Sequence, residues 1–248
     1  MFLGSREAGH ALTLDALRAG ITLKAVVSAA ADLAEYADEA LSIVREEYHP
    51  RVDCKEGCWY CCCKPNVLTS VPELARILEH VRTTFSPDAI ASLKARARRY
   101  AEQMEGRRVE DPLNESVPCP LLVERRCSAY EVRPLICRGY NSTNVDACRK
   151  AHDNADVLVP TFAILKDVTD GATVGAAQRL KAAGFNDSMV DLGTALNIAL
   201  AGGDGFAEAI VHGSADLTPA ENPSWAAELW GAVRKTAQSV GRKIEVHV

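Results

Sequence analysis

Nine cysteines occupy this 248-residue chain, and eight of them fall in two dense blocks. The first block runs Cys54-Lys-Glu-Gly-Cys58-Trp-Tyr-Cys61-Cys62-Cys63. The second holds Cys119-Pro-Leu-Leu, then Cys127, then Cys137-Arg, and Cys148 follows as an outlier. Thiols this crowded are oxidised, hold metal or serve as redox groups. A chain of 248 residues buries a core without covalent staples, so disulfides are not needed for stability as they are in small secreted domains. Residues Met1 to His10 show no basic segment leading into an apolar stretch, so no signal peptide is expected. No run of 18 apolar residues predicts a membrane span. The expected location is the reducing cytoplasm, where clustered cysteines are metal ligands or redox groups. The net charge of -5 supplies no global basic field and argues against a nucleic-acid partner.

Around the cysteines the chain reads as mainly α. From Thr22 to Tyr48, Leu23, Val26, Val27, Ala30, Leu33, Ala34, Ala37, Leu41 and Val44 recur at helical spacing, and His49-Pro50 ends the pattern. This stripe can pack within the domain or against a second subunit, so a homo-oligomer is one expectation. Ser70 and Glu73 have capping-box spacing ahead of Leu74, Ile77, Leu78 and Val81. Ser86-Pro87 predicts a cap and first helical position for a helix reaching about Met104, with Lys94, Arg96, Arg98 and Arg99 on a solvated face. Residues 106–117 read as loop, and Leu121-Val123 as a short strand. Beyond Lys150 the chain is expected to be helical again. Met189, Leu192, Leu196, Ala199 and Leu200 mark one helix, broken by Gly202-Gly203-Asp204-Gly205. Thr218-Pro219-Ala220-Glu221 predicts a capping box for a last helix carrying Trp225, Leu229, Trp230 and Val233, with a strand or frayed end from Lys243 to Val248. The expectation is a single domain, 1–248, with helical flanks (1–50 and 151–248) around a loop-rich, cysteine-bound metal centre (51–150).

On a helix advancing roughly 100° per residue, Cys54, Cys58, Cys61 and Cys62 share one side and Cys63 points away. If Gly57 breaks that helix, Cys58 and Cys61 still meet in a tight turn. Cys63 is the weakest ligand candidate in either geometry and suits a small core residue. Thiolates select zinc, copper(I) or iron–sulfur clusters. Without Cys63, eight thiols remain: Cys54, Cys58, Cys61, Cys62, Cys119, Cys127, Cys137 and Cys148. They suit two closed four-ligand sites, or one site with spare redox thiols. Between Cys119 and Lys150, five arginines and one lysine face only Glu124, Glu131 and Asp146. Arg133 and Arg138 are candidates to donate to thiolate sulfur or a bound anion; the alternative is pairing with Glu131 and nearby carbonyls.

The two blocks together resemble the YkgJ-like cysteine-cluster family, whose members are described as zinc- or iron-chelating. The likeness rests on Cys54, Cys58, Cys61 and Cys62, then Cys119-Pro120-Leu121-Leu122, Cys127-Ser-Ala-Tyr130-Glu-Val-Arg133-Pro134 and Cys137-Arg138-Gly-Tyr140. It covers about residues 51–150. It implies a metal-binding role for these seven cysteines, with Tyr130 beside Arg133 and Arg138 in support, and leaves Cys63 as an extra; Cys148 joins them only through the count of eight thiols above. A flagellin lysine methylase carries a similar cysteine motif, which keeps an enzyme reading open, although this chain has no glycine-rich nucleotide loop.

The leading expectation is a cytoplasmic protein holding a Zn2+ ion, or alternatively an iron–sulfur cluster, in a closed thiolate site. Zinc is preferred because no spacing reproduces a ferredoxin run. The alternatives are a cluster-dependent modification enzyme or thiol oxidoreductase, and metal storage or delivery. Cys58-Trp-Tyr-Cys61 lacks the βαβ context of a thioredoxin-like site. Among the six histidines, His49 and His152 lie nearest the cysteines.

Overall fold

The computed structural model describes residues 1–55, 57–64, 66–107, 116–154 and 156–221. Helix α1 (Phe2–Ala16) leads into the long α2 (Leu23–Tyr48). The first cysteine block follows, then strand β1 (Leu68–Ser70), α3 (Val71–Thr84) and α4 (Pro87–Met104). The second block forms a small hairpin, β2 (Leu122–Val123) and β3 (Arg126–Cys127), then α5 (Leu135–Gly139) and α6 (Val145–Asp153). Helix α7 (Ala163–Ala182), strand β4 (Met189–Asp191), α8 (Leu192–Gly202) and α9 (Phe206–Val211) complete the described elements, with a 3-10 turn at Thr218–Ala220. The fold is mainly α.

The helices start where their side chains satisfy the first free amides. Thr22 caps α2, and its apolar stripe from Val26 to Val44 is buried within the chain. That stripe is therefore not a face left for a second subunit. Ser70 and Glu73 form the reciprocal capping box at α3, and Ser86 caps α4 ahead of Pro87. Met189 does not extend the helix assigned to it; with Val190 and Asp191 it forms β4. That strand pairs antiparallel with β1, Leu68 opposite Asp191 and Ser70 opposite Met189, and Asp191 then caps α8. The capping box expected at Thr218 is also replaced. Thr218 lies inside the 3-10 turn, and Glu221 leaves it extended to bridge Val190. The helix and tail expected beyond it fall outside the described residues.

The main core gathers Leu74, Ile77, Val81, Leu93, Leu121, Leu192 and Leu196 from α3, α4, α8 and the second cysteine block. Two smaller clusters join α2 to α7, one through Leu33, Ala37, Leu135, Ala172 and Ala176, the other through Leu41, Val44, Leu165 and Val168. Helix α1 lies so close to α7 that a Cβ on Gly175 would stand 1.9 Å from the Arg6 carbonyl oxygen. Only glycine allows that approach. We therefore expect Gly175→Ala to force the helices apart and cost about 1–3 kcal/mol, the usual penalty for overpacking. Gly4→Ala on α1, which meets nothing within 4 Å, should be neutral or slightly stabilising. Urea midpoints of the two variants check this, and equal midpoints would contradict the packing argument.

Candidate metal centre

The first cysteine block does not continue α2. His49 ends that helix in a left-handed conformation, φ 44°. The Cys58 N–H then donates to the Lys55 carbonyl at 3.0 Å, closing a turn in which Gly57 has φ 83°. A 3-10 turn follows at Tyr60–Cys63. Of the two geometries open to the sequence, the glycine break is the one adopted.

Backbone hydrogen bonds stitch the second block onto the first. The Cys119 N–H donates to the Cys62 carbonyl at 2.7 Å, and the Val117 N–H to the Cys63 carbonyl at 3.2 Å. The Asp53 N–H donates to the Ser142 carbonyl at 2.8 Å. In return the Ser142 N–H donates to Cys54 Sγ at 3.1 Å. Lys64 reaches the Ala151 carbonyl on α6. The β2–β3 hairpin turns through Glu124 and Arg125, both at positive φ (49° and 64°), as a two-residue hairpin requires. That turn sets the Arg125 guanidinium 5.2 Å from the centre of the Trp59 ring, a cation–π contact between the blocks.

The thiols fall into two neighbourhoods that share one member. Burial pushes the Cys54 thiol up to about 11, against the hydrogen bond from Ser142, and Cys58, Cys61 and Cys148 add to the rise. Cys58 is also raised by burial, with Cys61 and Cys148 among its neighbours. Burial pushes Cys119 up to about 12, with Cys127 adding to it. Cys137 is held well above the thiol range by burial and then by Cys119, Cys61 and Cys127. Cys127 is raised by burial, in part by Cys61, and Arg133 opposes the shift. Cys61 is raised chiefly by its hydrogen bond with the Cys62 thiol and then by burial. One neighbourhood is thus Cys54, Cys58 and Cys148, the other Cys119, Cys127 and Cys137, and Cys61 is in electrostatic reach of both. Gathering is not convergence: among the described residues, no three His, Cys, Asp or Glu side chains surround a common point that could hold a metal ion. Cys63 is buried and bonds the Ser116 side chain.

Residues 53–156 match the family model CxxCxxCC, described as a "putative zinc- or iron-chelating domain". That stretch of the chain is similar to the CxxCxxCC domain. The match encloses all nine cysteines and stops before α7. No curated protein and no solved structure matches the chain.

The basic residues of this stretch hold backbone more than sulfur. Arg138 is buried and donates to the Arg133 carbonyl at 3.0 Å, to the Glu131 carbonyl at 2.6 Å and to Asp38 of α2. The carbonyls are those of the alternative reading, but the carboxylate is Asp38 and not Glu131, which offers only its backbone carbonyl. Arg133 stacks over Tyr130 at 3.9 Å and donates to the Tyr130 carbonyl at 2.9 Å; its charge also reaches Cys127. Tyr130 therefore serves as a platform for Arg133. His49 stays exposed at the end of α2. His152 stands one turn beyond Cys148 on α6, edge-on to Trp59 with ring centres 5.0 Å apart. Its Nδ1 is buried without a hydrogen-bond partner, an arrangement proteins rarely tolerate without a use.

Two carboxylates that sequence reasoning assigned only to caps, or did not single out, also position this stretch. Glu73 Oε1 accepts the Leu135 N–H at 2.6 Å, fixing the start of the helix that carries Cys137. Asp191 accepts from the Tyr100 hydroxyl at 2.8 Å and from Thr194 N–H at 2.9 Å, close to Cys119. The capping-box spacing announces Glu73, but nothing in the sequence links it to Leu135.

The raised thiols set the pH response of metal-free, reduced protein. Unfolded cysteines ionise near 8.5, whereas Cys54 and Cys119 in the fold do so only at about 11 and 12. Between those limits the folded state binds more protons than the unfolded one, so stability falls as pH rises. Metal reverses the sign, because bound thiolates are already deprotonated and acid releases the ion. Denaturant midpoints at pH 7.5 and 10 should therefore fall for the metal-free form. A midpoint that rises with pH in that form would contradict the thiol environments described here.

Proposed function

We propose that this chain binds zinc through the thiolates of Cys54, Cys58, Cys61, Cys62, Cys119, Cys127, Cys137 and Cys148, in a reducing compartment such as the cytoplasm and as part of one folding unit. The observation that supports this most is that Cys61, bonded to the adjacent Cys62, is in electrostatic reach of both groups of three thiols. Adjacent residues can supply one ligand to each group, which completes two sets of four, the number that closes a tetrahedral zinc site. The donor chemistry fits as well. Protonated thiols crowded at high pKa gain from a dication that makes every one of them a favourable thiolate. When bound, zinc would cross-link the first block, the hairpin, α5 and α6, and so contribute folding energy directly.

An iron–sulfur cluster draws on the same donors. One observation favours it: Cys61 lies within electrostatic reach of thiols on both sides, as a residue serving a polynuclear centre would. An iron–sulfur centre would supply electron transfer where zinc supplies only structure.

Protein purified anaerobically decides between the metals. Zinc gives a colourless preparation with zinc in elemental analysis; an iron–sulfur cluster gives a brown one with iron and sulfide. Reduced, natively folded protein containing neither would remove the proposal. Among variants, Cys58→Ser and Cys137→Ser should each lose at least one equivalent of metal, since they belong to different thiol groups. Cys63→Ser should retain it, because Cys63 is a core residue with Ser116 as its partner. Unchanged metal content in the first two variants would remove those residues from the ligand set.

A further inference from the structure

Beside the thiols lies a cavity of about 510 Å³ that the metal-binding reading does not use. Two chemistries meet in it. Val157, Leu158 and Val159 form an apolar wall, and Leu158 is 90% exposed at its rim. Lys64 and Lys166 bring two ammonium groups to the same space, and no Asp or Glu lines it among the described residues. The Lys64 amine donates to the carbonyl of Ala151, which anchors its charge at the cavity edge without neutralising it. Lys166 pairs with Asp170, one turn along α7.

The walls are held before any ligand arrives. Asn141 Oδ1 accepts the Phe162 N–H at 2.8 Å, and its Nδ2 donates to the carbonyls of Gly139 and Phe162, each at 3.1 Å. The Thr143 N–H donates to the Pro160 carbonyl at 3.0 Å. These bonds clamp the segment after α5 to the segment before α7, and both segments line the cavity. Affinity is not lost to ordering a pocket that is already ordered.

We propose that this cavity binds a small organic anion, an oxyanion head on an apolar body, with Lys64 and Lys166 on the head and the 157–159 wall on the body. Tyr140 makes the location chemically informative. It lines the cavity, and its phenol is also in electrostatic reach of Cys54, Cys61 and Cys148. Pockets of this size, apolar with a few placed polar groups, are the usual form of small-molecule sites.

Sodium octanoate, titrated calorimetrically into the full chain, is the probe. Saturable one-to-one binding is expected, with no comparable binding of octylammonium and much weaker binding of inorganic phosphate. Lys166→Met should weaken octanoate about tenfold, the value of one charge-assisted hydrogen bond. Val159→Trp should abolish binding by filling the cavity, with circular dichroism checking that the fold persists. Lack of saturable octanoate binding would overturn the proposal. So would equal binding of octylammonium or phosphate, or unchanged affinity in both variants. The cavity is formed by protein alone, so the titration is run with and without zinc. Octanoate binding without metal uptake would leave this site standing while the thiolate reading fell, and the converse would do the opposite.

Discussion

The Cys119 N–H bonded to the Cys62 carbonyl, with Val117 bonded to Cys63 beside it, joins two stretches of chain separated by β1, α3 and α4. Neither stretch has regular structure enough to hold itself. The first is a turn and a 3-10 turn; the second is a two-residue hairpin and short helices. Fixing irregular backbone costs roughly 1–2 kcal/mol per residue in conformational entropy, and a few hydrogen bonds at about 1 kcal/mol each do not offset it. The blocks therefore lean on what surrounds them. Glu73 holds the start of α5, Asp38 and the carbonyls around Glu131 hold Arg138, and Leu121 is sunk in the main core.

This arrangement explains why the thiols are gathered yet electrostatically frustrated. They are brought close by backbone that has its own reasons to be there, and burial and neighbouring thiols raise Cys54, Cys58, Cys119, Cys127 and Cys137 above the usual ionisation range. A cation that accepts sulfur turns that frustration into bonding. The cysteine blocks are thus irregular backbone set among helices that pack on their own apolar faces. The cavity at Tyr140 sits on the boundary between them, lined by the segment after α5 and by the approach to α7.

The long helices were legible because their signals are local. The stripe on α2, the Ser70–Glu73 box and the Ser86-Pro87 start each involve residues within one or two turns, and each forms as expected. Met189 misled because an apolar residue at helical spacing also suits a buried strand. The competing partner, β1, lies more than a hundred residues earlier in the chain. Arg138 was ambiguous for a similar reason: its carboxylate partner is Asp38, on α2.

The sequence by itself determined the mainly α class, the starts of α2, α3 and α4 and the supply of cysteines, since these follow from periodicity, capping chemistry and residue type. Only the tertiary structure decided how the thiols divide. That division depends on Gly57 turning the chain, on amides of Val117 and Cys119 finding carbonyls in the first block, and on α6 carrying Cys148 back to Cys54. Such contacts are made by backbone groups that every residue possesses, so no choice of side chain announces them.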